Sequence, residues 1–393
     1  MTSADHPSFE IRRRLPRSDA APVSSIGFAL AVAGAAGIPY LMTIAPTISW
    51  RNGGIDSGEL VTAMYVLGIP HPTGFPLYMI LGRLFIFLPI GEVAFRANLL
   101  STVCAAGTVG LIVLSGISIN RRHSSASWPV ILAGSATGGL AFAFSPLFWA
   151  RATIAKEYTL NSLLLAAGLM LLLDWRTGRQ PSRLVAFAGM VGLGMADHIT
   201  SLSLLPGALV FILLVDPRSA IRGSVVLRSI LVLLLGLSLY AYIPIRAAAV
   251  PYVDWGNPTT LSTFYDHVSG ATYKDILANA LKPPDIAQRL LFGVRGIPDQ
   301  LGWPGLVAFL IGVWVMAQRD RPVLALLGFT GSINLLFASM YPVRDSEAYL
   351  LPFYLTGAVI ASVGFCQIYR KFMQVIGTRG RYPIWVRLTL LIA

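Results

Sequence analysis

Charged residues are scarce in this chain, and their scarcity decides its class. They make up 12% of the 393 residues, whereas a soluble domain carries about 25%. Hydrophobic residues make up 55% and the mean hydropathy is +0.68. Several apolar runs reach the roughly 20 residues that cross a bilayer. The sequence therefore predicts an integral, multi-pass membrane protein.

Cysteine and the common catalytic signatures are also nearly absent. The two cysteines, Cys104 and Cys366, both lie inside apolar runs, which argues against a disulfide framework or a cysteine metal site. The chain has no GxxxxGK[ST], HExxH, CxxC or GxSxG motif, so it carries no nucleotide-binding signature. An enzyme of this sequence would need an activated substrate that is supplied from within the membrane.

Basic residues outnumber acidic ones, but they do not form a nucleic-acid-binding patch. The 30 lysines and arginines, against 18 acids, are spread over short loops between apolar runs. This is the positive-inside pattern of membrane proteins, and it argues against nucleic acid as a partner. Six basic clusters are placed in the cytoplasm by this rule: residues 12–17, 121–122, 176–183, 218–228, 319–321 and 370–381.

The charge pattern limits how many apolar runs cross the membrane. The runs cover residues 26–48, 75–90, 98–119, 127–148, 160–173, 184–197, 201–215, 226–245, 303–317, 322–340, 350–368 and 383–393. A chain that leaves the cytoplasm in the first run and returns by Arg121 can cross only once more between them. The run at 75–90 is short, at about 16 residues, and is bounded by Pro76 and Pro89. We expect it to form a juxtamembrane or re-entrant helix on the outer side.

The predicted fold class is an all-α polytopic membrane protein, a multi-span bundle of about 11 spans. Residues 1–25 are expected to form a cytoplasmic tail, and residues 26–393 a single membrane domain with outer loops at 49–97, 149–160 and 250–302. The last apolar run stops at Ala393, which suggests that a C-terminal part is missing. We expect a bacterial plasma membrane, with the polar loops on its outer face.

Two acids follow the first span in the first outer loop. Asp56 and Glu59 are three residues apart, so a helical turn places both on one face. A carboxylate that faces a cleft at the membrane surface can act as a general base and take the proton of a hydroxyl group. The alternative is that Asp56 only caps a helix and Glu59 is a solvated charge. The adjacent glycines and the following HPTG turn favour a functional site.

His71 and Arg96 are further candidates along the same loop. His71 opens a proline-rich turn before the short helix, whose exposed N-terminus would favour an anion. A purely structural role is equally expected for this histidine. Arg96 lies between that helix and the next span, where its guanidinium can hold a phosphate bidentately. The alternative for Arg96 is a contact with lipid headgroups.

Three other polar clusters adjoin spans. Arg151, Lys156 and Glu157 come at a helix end, where burial in hydrocarbon would cost several kcal/mol, so we expect them to face a cavity or the interface. His198 lies between two runs of about 15 residues, a pattern typical of broken or tilted helices around a cavity. Arg344 belongs to an outer charged cluster, for which a solvated loop tip explains the sequence as well as ligand binding does.

Five short motifs, in this order along the chain, resemble the transmembrane protein 260 family. They are DSGEL at 56–60, HPTGFPLY at 71–78, RANLLS at 96–101, KEYTLN at 156–161 and DHIT at 197–200. That family is similar to the protein O-mannosyltransferases of the C-type glycosyltransferase superfamily. The likeness runs from about residue 26 to at least residue 349, and its first two motifs are the most specific.

The resemblance implies an inverting glycosyltransferase that moves a hexose, with mannose as one candidate, from a polyprenyl-phosphate donor. The acceptor would be a hydroxyl group of a protein or glycan at the outer face. Asp56 matches the first-loop acid of the superfamily and would be the base, with Glu59 assisting it. The donor phosphate would be bound by Arg96, Arg151 and Lys156. The substrate-binding residues would be His71, Tyr78, Glu157, Tyr158, His198 and Arg344.

Neither a metal ligand nor a cofactor is assigned. The few acids at the site argue against a tightly held divalent metal, without excluding one. The main alternative function is a polytopic lipid or solute transporter, or flippase, which would predict inverted repeats and charges near the membrane midplane. The sequence has no evident repeat, and its charges cluster at one face. A non-catalytic scaffold whose outer loops bind a partner is the second alternative.

Overall fold

The computed structural model describes residues 23–378 except 276–277, 279–282, 342 and 344. The described chain is helical nearly throughout, and the predicted all-α class is confirmed. Within it, an isolated bridge between extended residues joins Ile69 to Asp254. Most of the predicted cytoplasmic tail and the whole apolar run at 383–393 lie outside the described residues.

The α-helices are numbered here in chain order. They are α1 (Val23–Thr43), α2 (Ser57–Val66), α3 (Pro76–Ile86), α4 (Val93–His123), α5 (Trp128–Ala143), α6 (Pro146–Ala152), α7 (Tyr158–Gly178), α8 (Pro181–Met195), α9 (Leu204–Val215), α10 (Pro217–Ala220), α11 (Gly223–Leu237), α12 (Tyr242–Ala247), α13 (Leu261–Ser269), α14 (Pro283–Arg295), α15 (Ile297–Arg319), α16 (Arg321–Met340) and α17 (Leu351–Thr378). Short 3-10 segments cover Arg51–Gly53, Ile199–Ser203, Ser238–Ala241, Ala271–Tyr273 and Ser346–Leu350.

The described helices form a multi-span membrane bundle, as predicted. Seven stretches are long and apolar enough to cross a bilayer: Ser24–Thr43, Val93–Arg122, Tyr158–Gly178, Gly223–Ala247, Ile297–Arg319, Arg321–Met340 and Ser346–Ile376. Helices α5 and α6, bent by 70° relative to each other, make an eighth if the pair is one span. Seven or eight spans are fewer than the predicted number of about 11.

Much of this difference arises between α8 and α9. Both runs were predicted to span, but the helices have only 15 and 12 residues. The chain leaves the helix at Asp197 and His198, whose backbone N–H groups both donate to the Gly194 carbonyl oxygen. A 3-10 segment then leads into α9. The polar break that the sequence placed between two short runs is therefore present, and it ends α8 before Asp197.

Helix α3 corresponds to the run that, from the charge pattern, is predicted not to cross the membrane. It begins at Pro76, as proline-started helices do, and has 11 residues. At that length it extends about 16 Å, against roughly 30 Å for the hydrocarbon core. It packs against α2 and α4. As a single helix, α3 is too short to cross.

The interior of the bundle is built around α17. In the most apolar window of its span 89% of the residues are buried, against 11% for the Gly223–Ala247 stretch, which lies at the periphery of the described bundle. Gly364 of α17 and Gly312 of α15 lie against the facing helix so closely that a Cβ would overlap a carbonyl oxygen there. Small residues of this kind let membrane helices pack backbone to backbone.

Candidate active site

Four charged side chains meet where the ends of α2, α6 and α7 approach the segment before Ser346–Leu350. Lys156 Nζ donates to Asp56 Oδ2 at 2.6 Å and to Asp345 Oδ2 at 2.9 Å. Arg151 Nη2 donates to Asp345 Oδ1, and Arg151 Nη1 donates to the Asn52 carbonyl oxygen. The side chain of Lys156 is only 1% exposed, whereas that of Asp56 is 31% exposed. A buried cation therefore joins two carboxylates, one of which reaches solvent.

These neighbours determine the ionisation of the pair. Burial alone would raise the pKa of Asp56, but the charge and hydrogen bond of Lys156, with smaller effects of His71 and Arg151, hold that pKa below its usual value. Burial would lower the pKa of Lys156, but the surrounding acids, Glu157, Asp345 and Asp56, raise it. Asp56 is therefore ionised and Lys156 protonated at neutral pH, and the carboxylate is a weakened base while this ion pair persists.

Glu59 and His71 form a second pair beside Asp56. The His71 backbone N–H donates to Glu59 Oε1 at 2.6 Å, and His71 Nδ1 lies 3.1 Å from Glu59 Oε2. Burial lowers the pKa of the imidazole, but the hydrogen bond and charge of Glu59 outweigh it, so the net shift is upward. These contacts fasten the HPTG turn to α2. Glu59 is thus a positioning group as the structure stands.

Asp56, Glu59 and His71 also have the geometry of a cation site. One ligand atom from each lies within 4.8 Å of the others, and all three residues are partly exposed. Oxygen and imidazole ligands of this kind suit Mn²⁺ or Zn²⁺. Glu59 and His71 already pair with each other, and Lys156 occupies Oδ2 of Asp56, so a cation would compete with these contacts. The arrangement accommodates a loosely held ion better than a resident one.

Behind the ion pairs lies a layer of buried polar groups. Asp197 is fully buried and both its carboxylate oxygens lack a described partner, as does Glu157 Oε2. Burial raises the pKa of both acids, most strongly for Asp197, whereas the charge of Lys156 opposes the shift for Glu157. Burial lowers the pKa of His198 to about 3. The neutral imidazole accepts a hydrogen bond at Nδ1 from Thr200, which leaves the proton on Nε2.

Aromatic rings surround His198. Its ring centroid lies 5.3 Å from that of Tyr158, 5.0 Å from that of Tyr349 and 6.3 Å from that of Phe75. Tyr158 and His198 were sequence candidates, and the structure brings them together next to Lys156 and Glu157. Tyr349 was not a candidate. Flat ring faces beside charged groups are suited to holding a sugar ring.

Tyr78 and Arg96 have structural partners. Tyr78 is fully buried, and its hydroxyl bonds Ser101 Oγ at 3.0 Å; the same Oγ bonds both the backbone N–H and the carbonyl oxygen of Lys156. Tyr78 therefore supports the Lys156 segment from behind. The described hydrogen bonds of Arg96 all go to backbone carbonyl oxygens at the end of α3, at Ile86, Ile90 and Gly91. None of them connects Arg96 to Asp56.

Asp345 is the functional candidate that the sequence analysis missed. Its neighbour Arg344, which is the predicted substrate-binding residue of this cluster, lies outside the described residues. The signal was the same charged cluster after a span, but nothing in the sequence separated its members. Asp345 is distinguished only by its partners, Lys156 and Arg151, which are 189 and 194 residues away along the chain.

Residues 56–220 match the family described as Protein O-mannosyl-transferase TMEM260 N-terminal domain. The protein named Protein O-mannosyl-transferase TMEM260 from Mus musculus is 28% identical over 96% of this chain, and that from Dictyostelium discoideum is 26% identical over 70%. The predicted resemblance to the transmembrane protein 260 family is confirmed. The chain spans 55% of the mouse protein and 35% of the Dictyostelium one.

A solved structure has the same fold. The crystal structure of ArnT from Cupriavidus metallidurans, bound to undecaprenyl phosphate, superposes with a TM-score of 0.59 and 13% sequence identity. The match covers 88% of this chain and 60% of ArnT. At that identity the likeness establishes a shared membrane fold, and the chemistry must be argued from the residues of this chain.

Proposed function

We propose that this chain, which resembles the transmembrane protein 260 family, transfers a sugar from a polyprenyl-phosphate carrier to a hydroxyl group of a protein or glycan. One observation carries the proposal: a carboxylate and a buried cation, Asp56 and Lys156, are 2.6 Å apart at the end of the membrane helices. Base and phosphate ligand are thus adjacent. The names of the mouse and Dictyostelium relatives make mannose the first sugar to test, and the undecaprenyl phosphate in ArnT supports a lipid-phosphate carrier.

The reaction needs few groups. Asp56 takes the proton of the acceptor hydroxyl, whose oxygen attacks the anomeric carbon from the side opposite the phosphate. The bond between that carbon and the phosphate oxygen breaks, and its electrons leave with the polyprenyl phosphate. Lys156 and Arg151 stabilise the charge that develops on the leaving phosphate. A single base on one face corresponds to inversion, in contrast to the paired carboxyl groups of a retaining hydrolase.

The remaining residues serve this geometry. Glu59 holds His71, and through it the turn beside Asp56. The rings of Tyr158, His198 and Tyr349 form a wall against which the sugar packs. Glu157, beside that wall, supplies an oxygen without a described protein partner, Oε2, for a sugar hydroxyl group. Arg96 is not proposed as a phosphate ligand, because its described hydrogen bonds go to the carbonyl oxygens of Ile86, Ile90 and Gly91.

The proposal is tested with membranes that contain the wild-type chain. We expect transfer of radiolabelled mannose from polyprenyl-phosphate mannose to hydroxyl acceptors, above the level in membranes without the chain. Polyprenyl-phosphate glucose and other lipid-linked sugars are assayed in parallel to identify the donor. No donor-dependent transfer with any member of the panel would remove the enzyme proposal and leave the transporter and scaffold alternatives.

We also propose that the site lies on the outer face, because charge parity places α3 and the loop after it there. A Glu92→Cys variant, exposed between α3 and α4, should react with a membrane-impermeant maleimide added to intact cells. Gln180→Cys, exposed in a basic loop, should react only after the cells are opened. The two native cysteines are buried and give little background. Labelling of Glu92→Cys from the cytoplasmic side alone would contradict this orientation.

A further inference from the structure

Two cations converge on one carboxylate that the proposed reaction does not use. Lys156 Nζ lies 2.9 Å from Asp345 Oδ2, and Arg151 Nη2 donates to Oδ1 of the same residue. The three side chains are 1%, 6% and 15% exposed for Lys156, Arg151 and Asp345. Two cationic donors on separate oxygens of one anion form the arrangement by which proteins also bind phosphate.

We propose that Asp345 occupies the phosphate position of the lipid-linked donor while the site is empty, and that the donor phosphate displaces it. The inference rests on the proposed function, because it assigns these cations to the donor. A sugar phosphodiester carries one negative charge, as the Asp345 carboxylate does. The exchange therefore leaves the charge of the site unchanged, and neither buried cation is left uncompensated.

The backbone around Asp345 is suited to such an exchange. Asp345 lies between α16 and the Ser346–Leu350 segment, outside regular helix. Its carbonyl oxygen accepts from the Ala348 N–H at 3.0 Å, so the backbone can stay in place while the side chain rotates away. Asp56, by contrast, precedes α2 and is the carboxylate that must remain for the reaction.

Removal of the internal anion should strengthen phosphate binding. We expect the Asp345→Asn variant of the full chain, purified in detergent, to bind farnesyl phosphate about tenfold more tightly than the wild type in isothermal titration calorimetry. A tenfold change corresponds to about 1.4 kcal/mol. Glu347→Gln, an exposed acid two residues further on, is the matched control and should leave the affinity unchanged. Equal or weaker binding by Asp345→Asn would overturn the proposal.

Inorganic phosphate is titrated alongside, to distinguish a site for the phosphate group alone from one that also needs the lipid. If Asp345→Asn strengthens the binding of both ligands, the phosphate group by itself displaces Asp345. If the gain is confined to farnesyl phosphate, displacement requires the lipid chain. Either result supports the exchange, whereas a gain equal to that of Glu347→Gln would contradict it.

The wild-type chain provides a measurement that needs no variant to fold. On addition of farnesyl phosphate, the amides of residues 151–157 should become protected from hydrogen exchange, while those of residues 345–350 should keep their exchange rates, because only the side chain of Asp345 moves. Protection of both segments would mean that Asp345 stays and contributes to binding. This experiment measures ligand binding and not sugar transfer. If the exchange pattern appears but the transfer assay finds no activity, the displacement of Asp345 stands and only the enzyme proposal is refuted.

Discussion

The Asp56→Asn variant is expected to transfer sugar about 10²- to 10⁴-fold more slowly than the wild type, the usual contribution of a general base. Asparagine keeps the size of the side chain but cannot accept the hydroxyl proton. Lys156 keeps Asp345 as a partner, so the fold and the cation site should persist. The rate is measured with labelled polyprenyl-phosphate sugar at saturating donor, and farnesyl phosphate binding is measured separately.

The contrast between two variants makes this test specific. Glu59→Gln removes a charge three residues away but retains hydrogen-bonding groups for the His71 backbone N–H. We expect it to reduce transfer by about tenfold or less, as a positioning residue would, against at least 10²-fold for the base. Equal losses in the two variants would indicate that the whole acidic turn acts as one unit. If Asp56→Asn retained activity within about threefold of the wild type, Asp56 would not be the base.

Much of the fold follows from sequence. Long apolar runs give helices because a bilayer leaves backbone groups no other partner, and the run at 75–90 was recognised as too short from its length and prolines. The runs at 184–197 and 201–215 mark a limit. Hydropathy measures how apolar a run is, whereas the position where a helix ends here depends on hydrogen bonds of Asp197 and His198 to Gly194.

Some contacts of the candidate site can likewise be predicted from sequence, and others cannot. Asp56, Glu59 and His71 are close in sequence, and their proximity could be read from a helical turn and the HPTG motif. The contacts of Lys156 with Asp56 and Asp345 join residues 100 and 189 positions apart. Such pairs depend on how the segment before α7 meets the segments before α2 and before Ser346–Leu350. The contacts of Arg96 with Ile86, Ile90 and Gly91 are local, but the charge of Arg96 does not by itself distinguish a ligand for phosphate from one for backbone carbonyl oxygens.

The Lys156→Met variant should produce the largest loss of stability. Methionine fills a similar volume but leaves Asp56 and Asp345 without their shared cation. Loss of one partner from a buried ion pair destabilises proteins by about 3–5 kcal/mol, and we expect about 3 kcal/mol because both acids keep some solvent contact. Chemical or thermal unfolding in detergent measures the effect. Binding of farnesyl phosphate should fall by at least about tenfold, since the principal phosphate cation is lost.

A double variant and a pH series separate electrostatics from lost packing. If stranded acids cause the instability, Lys156→Met combined with Asp345→Asn should be more stable than Lys156→Met alone. In the wild type Lys156 lowers the pKa of Asp56 in the folded chain. The ion pair therefore stabilises the fold fully above the unfolded pKa of about 3.9, and this stabilisation is lost as the pH falls through the lower, folded pKa. Without Lys156 burial raises that pKa instead, and stability declines as the pH rises. The difference between wild type and variant should therefore be largest near pH 7 and shrink toward pH 4. A difference independent of pH would attribute the loss to packing of the lysine stem.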